Sequence, residues 1–366
     1  MVKFTISKSA LMAALDNSSK VAPQGGVRLA TDGIRIEVRK DKAAFRATNG
    51  DSSIQQVVGI TNGTDGTVFV PTRQLRDFAG LMPDGDIQIQ ESGANLTMSV
   101  GKVVMTLNLL QVDAAPAVTF PSGDGVAIPA RTFADALGQV GSAASGDNSR
   151  VVLTGVLIEA RDEGLRLVAT DSYRLAIRDI KGASGLPAGT AIVAPQTALS
   201  AVANVIKRHE NVTVRLMEKS VGFEVPGVKI VLRLIDAAYP NYNAVLPTET
   251  STVAIVEKDA LIGALRRAAH ASDQMPLARL AFSPTENKVD VSAGGNSGKG
   301  AQEEMEISIT GEAITVNANP NYFETAVSAF PNGNVKISFA GALRPILLTG
   351  DGSDGDLRYV VMPTRA

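Results

Sequence analysis

The sequence predicts an α+β fold made by writing one small β-α-β-β-β unit six times, with antiparallel sheets and helices laid on one face. Three observations predict it. An apolar stripe at helical spacing recurs six times, a short strand-like run precedes each stripe, and runs rich in β-branched residues follow it. The stripes are Leu11/Ala14/Leu15, Leu75/Phe78/Ala79, Phe133/Ala136/Leu137, Leu199/Val202/Ala203, Leu261/Ala264/Leu265 and Phe323/Ala326/Val327. Five continue one turn further, to Met82, Val140, Ile206, Ala268 and Phe330. Successive stripes start 58 to 66 residues apart in a chain of 366 residues. Positions i, i+3, i+4 and i+7 share one face of a short helix, so each stripe presses that face on a core.

The strand ahead of each helix is read at residues 2–6, 68–70, 126–128, 191–193, 253–256 and 314–316. After the third helix three strands are expected at 151–159, 165–169 and 173–180, and after the fourth at 212–217, 221–225 and 228–235. Alternation in Leu165-Arg-Leu-Val-Ala169 and Val228-Lys-Ile-Val-Leu-Arg-Leu234 marks strands with one buried face. Gly with Asp, Asn or Pro punctuates the gaps, as at Asp162-Glu-Gly164, Pro226-Gly227 and Asn332-Gly333. Strands that follow one another without crossover helices pair antiparallel.

The six units pair into thirds. Equivalent helix positions Leu75, Leu199 and Phe323 recur 124 residues apart, and each of these helices has a Pro at its entry, Pro71, Pro195 and Pro320. Proline suits a first helical turn because its missing N–H would lack a partner there anyway. Turn-rich segments at 121–125 and 247–251 place the domain boundaries, giving domains 1–123, 124–249 and 250–366.

With no Cys and no Trp, disulfides and thiolate metal sites are excluded. There is no apolar run of membrane-spanning length and no leader-like start, so the expected location is the cytoplasm, with no membrane partner. The net charge of −2 does not advertise nucleic-acid binding, but the distribution matters more than the sum. Lys8, Lys20, Arg73, Arg76, Arg131, Lys207, Arg208, Lys258, Arg266 and Arg267 lie on or beside the six helices, against fewer acids there: Asp16, Asp77, Asp135, Glu257, Asp259 and Glu324. An ordinary solvated helix face is the bland reading, and a basic face tracking phosphates the sharper one.

Catalytic constellations are not evident. The two histidines, His209 and His270, lie in different repeats without an obvious partner, so neither a metal site nor a Ser-His-Asp triad is expected. Gly294-Gly-Asn-Ser-Gly-Lys-Gly300 resembles a phosphate loop, but Ala293 stands where its first Gly belongs and Gly300 where its hydroxyl belongs. It also lies between two strand runs, as a hairpin tip would. Asp171 and Asp236 sit at strand ends as turn caps, and no carboxylate pair suits acid–base work. The expectation is a protein that is not an enzyme and uses no cofactor or metal.

Two segments are more specific: Leu165-Arg-Leu-Val-Ala-Thr-Asp-Ser-Tyr-Arg-Leu-Ala176, and the terminal Arg358-Tyr-Val-Val-Met-Pro-Thr-Arg-Ala366. Together they resemble the bacterial β sliding clamps, processivity subunits of the replicative DNA polymerase. Further likeness lies in Arg150-Val-Val-Leu-Thr-Gly155, Tyr239-Pro-Asn-Tyr-Asn-Ala-Val-Leu-Pro247 and Asn319-Pro-Asn-Tyr322, and it extends over the whole chain.

The resemblance implies three tandem DNA-clamp domains with helices inside and sheets outside, closed as a head-to-tail homodimeric ring around double-stranded DNA. Lys8, Lys20, Arg28, Arg73, Arg76, Arg131, Lys207, Arg208, Arg266 and Arg267 would then line the DNA channel, where weak sequence-independent attraction permits sliding. Gln74, Met105, Leu107, His270 and Ala271 would belong to the dimer contact. A peptide-binding cleft is implied between the middle and last domains. Its positions here are Arg150, Leu153, Thr170, Ser172, Tyr173, Arg174, Leu175, Pro240, Val245, Asn319, Tyr322, Pro345, Ile346, Val360, Met362, Pro363, Thr364 and Arg365. The replicative polymerase, clamp loader and repair proteins would dock short linear peptides there.

The chain departs from the family pattern at several points. Ala244 stands where a basic residue is common, and Ser172-Tyr173 where Gly-His or a similar pair is common. The segment at 23–29 lacks the usual Pro-Ile/Val-Leu stretch, and His270-Ala271 replaces a bulkier aliphatic pair. An accessory clamp with altered partners, a non-DNA scaffold of the same fold, and a hydrolase or transferase are the rival readings.

Overall fold

The computed structural model describes residues 1–21, 33–112, 118–183, 186–187, 189–272, 276–294, 300–331, 333–351 and 356–365. Each expected helix forms: α1 (Lys8–Val21), α2 (Thr72–Leu81), α3 (Ala130–Gly141), α4 (Gln196–Ile206), α5 (Lys258–Ala271) and α6 (Pro320–Ser328). Stripe residues Leu11, Leu75, Phe133, Leu199, Leu261 and Phe323 are fully or almost fully buried. Helix starts follow local chemistry. The Ser7 hydroxyl accepts from the Ala10 N–H at 3.3 Å, Glu257 accepts from the amides of Asp259 and Ala260, and Asn319 from those of Asn321 and Tyr322. Pro71 caps α2 without a side-chain bond, and Pro320 fills the first turn of α6.

By its contacts the described chain forms two units, Met1–Ala134 with Thr197–Leu234, and Asp135–Gln196 with Ile235–Ala366. The first unit holds two antiparallel sheets. One runs β5 (Thr61–Thr64), β1 (Lys3–Ser7), β7 (Asp86–Ser92), β8 (Asn95–Val100), β9 (Val103–Asn108). The other runs β10 (Val126–Pro129), β15 (Asn211–Met217), β16 (Ser220–Val225), β17 (Val228–Arg233), β4 (Ser52–Gly59), β3 (Lys42–Thr48), β2 (Gly33–Arg39), β6 (Gly66–Pro71). In it α1 packs on α2 and on β3 and β4, and Phe133 stacks on Phe223 with ring centroids 6.1 Å apart.

The second unit likewise holds two antiparallel sheets. The larger runs β14 (Ala191–Pro195), β11 (Gly155–Arg161), β12 (Gly164–Thr170), β13 (Arg174–Lys181), β26 (Leu357–Val361), β25 (Ile346–Gly350), β24 (Asn334–Phe339), β18 (Thr252–Glu257), β22 (Ser308–Gly311). The smaller runs β21 (Gly300–Glu306), β20 (Lys288–Gly294), β19 (Ala278–Ser283), β23 (Ile314–Ala318). Here α5 packs on α6, β20 and β21.

The six units interlock in pairs. In each third, the strand ahead of a helix leaves its own repeat and joins the sheet of the sister repeat. Thus Phe4 of β1 lies opposite Ile89 of β7, and Val70 of β6 opposite Ile34 of β2. The same exchange pairs Ile128 with Val212, Leu157 with Val193, Ala254 with Ile337 and Leu280 with Val316. Two repeats are therefore the smallest unit in which every leading strand finds its partner.

Two further differences are local. Short strands β5 and β22, absent from the expected pattern, extend the sheets beside β1 and β18. The strand expected from Val151 begins only at Gly155, because Asn148–Thr154 winds into 3-10 turns kinked at Arg150. Asp147 caps the first turn by accepting from the Ser149 N–H at 2.9 Å, and the Ser145 N–H donates to the Leu153 carbonyl. These bonds outweigh the strand preference of Val151 and Val152.

Candidate functional site

In the second unit the hairpin between β12 and β13 shows what the Ala-Thr-Asp-x-x-Arg-Leu-Ala segment does. Asp171 folds into an Asx turn, one carboxylate oxygen accepting from the amides of Tyr173 and Arg174 at 2.9 and 3.0 Å. Its other oxygen accepts from the Arg174 Nε at 3.0 Å, so a largely buried carboxylate is paired and hydrogen-bonded. The Thr170 hydroxyl donates to the Arg174 carbonyl at 2.7 Å and accepts from the Ser172 N–H. Ser172 lies in the left-handed region at φ 80°, where glycine would be easiest. Arg150 holds it there, its Nη1 donating to the Ser172 hydroxyl at 3.0 Å.

This hairpin is joined to the chain's last strand. Leu175 lies opposite Val360 in the β13–β26 ladder, and the Met362 N–H continues it by donating to the Tyr173 carbonyl at 2.9 Å. An apolar pocket of about 210 Å³ opens there, lined by Leu153, Thr170, Ser172, Arg174, Leu175, Pro240, Asn241, Tyr242, Val245, Val360 and Met362. That is smaller than the roughly 300–1,000 Å³ of a cleft for a drug-sized ligand, with room for one or two side chains. Tyr242 contributes a fixed, buried aromatic surface. Its hydroxyl donates to Glu159 at 2.6 Å and accepts from Arg161 at 2.9 Å, and burial raises its pKa above the usual phenol value. A more polar groove of about 580 Å³ continues past Val245, along residues 244–251 with Ala340, Arg344 and Pro345.

Family models match the chain in tandem. The DNA polymerase III beta subunit N-terminal domain matches residues 2–119, its central domain 127–241 and its C-terminal domain 243–365. The chain belongs to the DNA polymerase III β-subunit family. Among curated relatives, the beta sliding clamp of Streptomyces coelicolor is 26% identical over 376 aligned positions, covering 100% of this chain and 99% of the relative. The beta sliding clamp homolog GriR of Streptomyces muensis is 28% identical, covering 82% of each. The fold matches the DNA polymerase sliding clamp of Bacillus subtilis at a TM-score of 0.92 and 23% identity, covering 100% of this chain and 99% of the other. A Pseudomonas aeruginosa DnaN sliding clamp, solved bound to griselimycin, matches at a TM-score of 0.92 and 22% identity, with 100% of both chains covered.

Nine positions carried over from the β-subunit family line the apolar pocket: Leu153, Thr170, Ser172, Arg174, Leu175, Pro240, Val245, Val360 and Met362. Arg150 stands behind it through Ser172. Tyr322 stacks on Tyr173 with centroids 6.0 Å apart, and the Arg174 guanidinium sits 4.8 Å from the Tyr322 ring centre. Asn319 acts as the cap of α6, Pro345 lines the polar groove, and Ile346 is fully buried in β25, opposite Val361. The Thr364 N–H donates to the Asn317 carbonyl, Pro363 is half-buried, and Arg365 is exposed. Sequence reasoning missed Asn241 and Tyr242. Both follow Pro240 inside a segment it had singled out, where an aromatic residue in a turn signals a fixed apolar surface.

The helix-borne cations behave unequally. Lys20, Arg73, Arg131, Lys207 and Arg208 are exposed. Arg76 pairs with Asp16 at 2.7 Å, Arg266 with Glu324 at 3.0 Å and Arg267 with Glu303 at 2.7 Å, which reduces the charge each offers, while Arg73 has a looser exposed pair with Asp77 at 4.0 Å. Lys8 departs from the expected free cation. Its ammonium donates to the Met82 carbonyl at 2.6 Å and pairs with Asp84, satisfying the end of α2. Lys258 does the same for the Phe330 carbonyl just beyond α6, at 2.6 Å. Arg28 and the loop-like run at 295–299 lie outside the described residues. Gln74 and His270 are exposed, Met105 and Ala271 half-buried, and Leu107 is buried in β9.

Proposed function

We propose that the chain is a DNA sliding clamp, a non-catalytic processivity factor with domains 1–123, 124–249 and 250–366. Two copies close a ring around duplex DNA in the cytoplasm and tether the replicative polymerase, clamp loader and repair proteins through short peptides. The observation that carries this reading is the apolar pocket at the β13–β26 junction, where Leu175 meets Val360 and Met362 although they lie far apart in the chain. Arg73, Lys20, Lys207 and Arg208 supply the weak phosphate attraction of the channel, and Lys8 serves structure instead.

Retention on DNA tests the proposal. Loaded on nicked circular duplex, the protein is expected to stay bound through gel filtration and to leave once the circle is cut. Equal retention on linear and circular DNA would contradict a topological hold.

A second reading, an accessory clamp with altered partners, is favoured by the Tyr173–Tyr322 stack and by Ala244 in the polar groove. Both change the rim of the site and leave its apolar floor intact. A panel of peptides of the Gln-x-x-Leu-x-Phe type decides between the two. A shared ranking with a principal clamp supports the first reading, and an inverted ranking supports the second.

A further inference from the structure

The third strand after each helix follows a pairing rule. Repeats one and three end in β4 and β13, and these pair with β17 and β26, the corresponding strands of repeats four and six. Two third strands remain, β9 of repeat two and β21 of repeat five. Each is the edge of its sheet, β9 paired only to β8 and β21 only to β20 among the described residues. An open edge is a template for another chain. The rule leaves β9 of one copy to meet β21 of a second.

The chemistry of these edges differs from that of the seams inside the chain. The β13–β26 seam carries the Arg358–Asp179 pair at 2.7 Å, and the β4–β17 seam ends in the exposed Arg233–Asp51 pair at 3.8 Å. β9 reads Val-Val-Met-Thr-Leu-Asn, without an ionisable residue, and its Val104 is 61% exposed. β21 carries Glu303, Glu304 and Glu306. Two of these are already engaged by their own copy. Arg267 of α5 grips Glu303 through two hydrogen bonds, at 2.7 and 2.8 Å, and Lys288 of β20 reaches Glu304 at 2.8 Å. Antiparallel pairing sets the start of β9 beside the end of β21, so Lys102 and Glu306 approach only at the solvent-exposed tip, where an ion pair is weak and screened.

We propose that the seam between copies is closed by main-chain hydrogen bonds and by Val103, Val104 and Met105, with no ion pair inside it, so that the dimer is insensitive to salt. This rests on the ring reading above. Its consequence is a division of labour: salt loosens the grip on DNA while leaving the ring shut.

Sedimentation of the full chain, followed from about 0.1 M to about 1 M NaCl, tests it. The dimer Kd is expected to change by less than about threefold, and the triple variant Lys102→Gln, Glu304→Gln, Glu306→Gln to stay within the same range. All three side chains lie at the surface, so the variant keeps its core. A Kd that rises about tenfold or more with salt, or in the variant, overturns the uncharged seam. If that salt-sensitive dimer is still retained on nicked circles, the clamp reading survives alone. A monomer at every salt concentration overturns both.

Discussion

At the scale of single residues, the pocket separates side chains that would bind a partner from those that hold the pocket in shape. Leu175 and Met362 present apolar surface from adjoining strands. Truncating either to Ala is expected to weaken a labelled clamp-binding peptide by about 2 kcal/mol, roughly thirtyfold, measured by fluorescence polarisation. Unchanged binding by both variants would move the site elsewhere. Tyr242→Phe tests the other class. It keeps the ring but removes the hydroxyl between Glu159 and Arg161, so thermal stability should fall by about 1–2 kcal/mol while peptide affinity stays nearly constant. The Thr170 to Leu175 turn was legible because its residue types stand at fixed offsets. The role of Tyr242 was not, since it depends on Glu159 and Arg161, some eighty residues earlier in the chain. Lys8 misled for a similar reason: a lysine opening a helix looks solvent-facing until the carbonyl that captures it, Met82, is known.

At the scale of elements, the helix ends carry testable chemistry. Glu257 caps α5, and its two backbone hydrogen bonds hold its carboxyl below the ordinary value of 4.5. A lowered folded pKa means a contribution that is complete above 4.5 and lost as pH falls through the lower folded value. Glu257→Ala is therefore expected to destabilise by about 0.5–1 kcal/mol at neutral pH, with the gap from wild type closing well below pH 4.5, followed by urea melts across pH. An undiminished gap in acid would show that the carboxylate is not the cap. Lys258→Met should cost more than an exposed lysine would, about 1–3 kcal/mol, because it leaves the Phe330 carbonyl without its donor. Helix existence and burial were readable from periodicity, since Leu11, Phe133 and Leu261 all turn inward. The 3-10 turns at Asn148–Thr154 were hidden by two valines, and the exchanged strands were hidden altogether. Periodicity states that a face is buried, but not which neighbour buries it.

At the scale of the whole molecule, the proposed DNA channel is predicted to depend on some cations more than others. Charge reversal of Lys207 should lower the salt slope of DNA association by roughly one unit, and so should that of Arg73, whose 4.0 Å pair with Asp77 is long and solvent-exposed, whereas reversal of Arg266 should act less because Glu324 offsets it at 3.0 Å. Equal effects at all three positions, read from loading efficiency at several salt concentrations, would mean that the Glu324 pair opens on DNA.

The exchanged strands also set a timetable for synthesis. Lys3 finds its partner at Gln90, Val126 at Val214 and Thr252 at Phe339. At about 5–20 residues per second, each leading strand emerges from the ribosome roughly 4–17 s before the strand that will cover it. During that interval Phe4 and Ile6, or Ala254 and Val256, have at most the short strand β5 or β22 beside them, although the helix behind them can already form. The nascent chain thus passes through three periods of exposure, one per pair of repeats, and each ends only when the first strand after the sister helix has been made. Pauses in translation just after residues 21, 141 or 271 would lengthen those periods and recruit chaperones, whereas pauses near 92, 217 or 339 would be harmless.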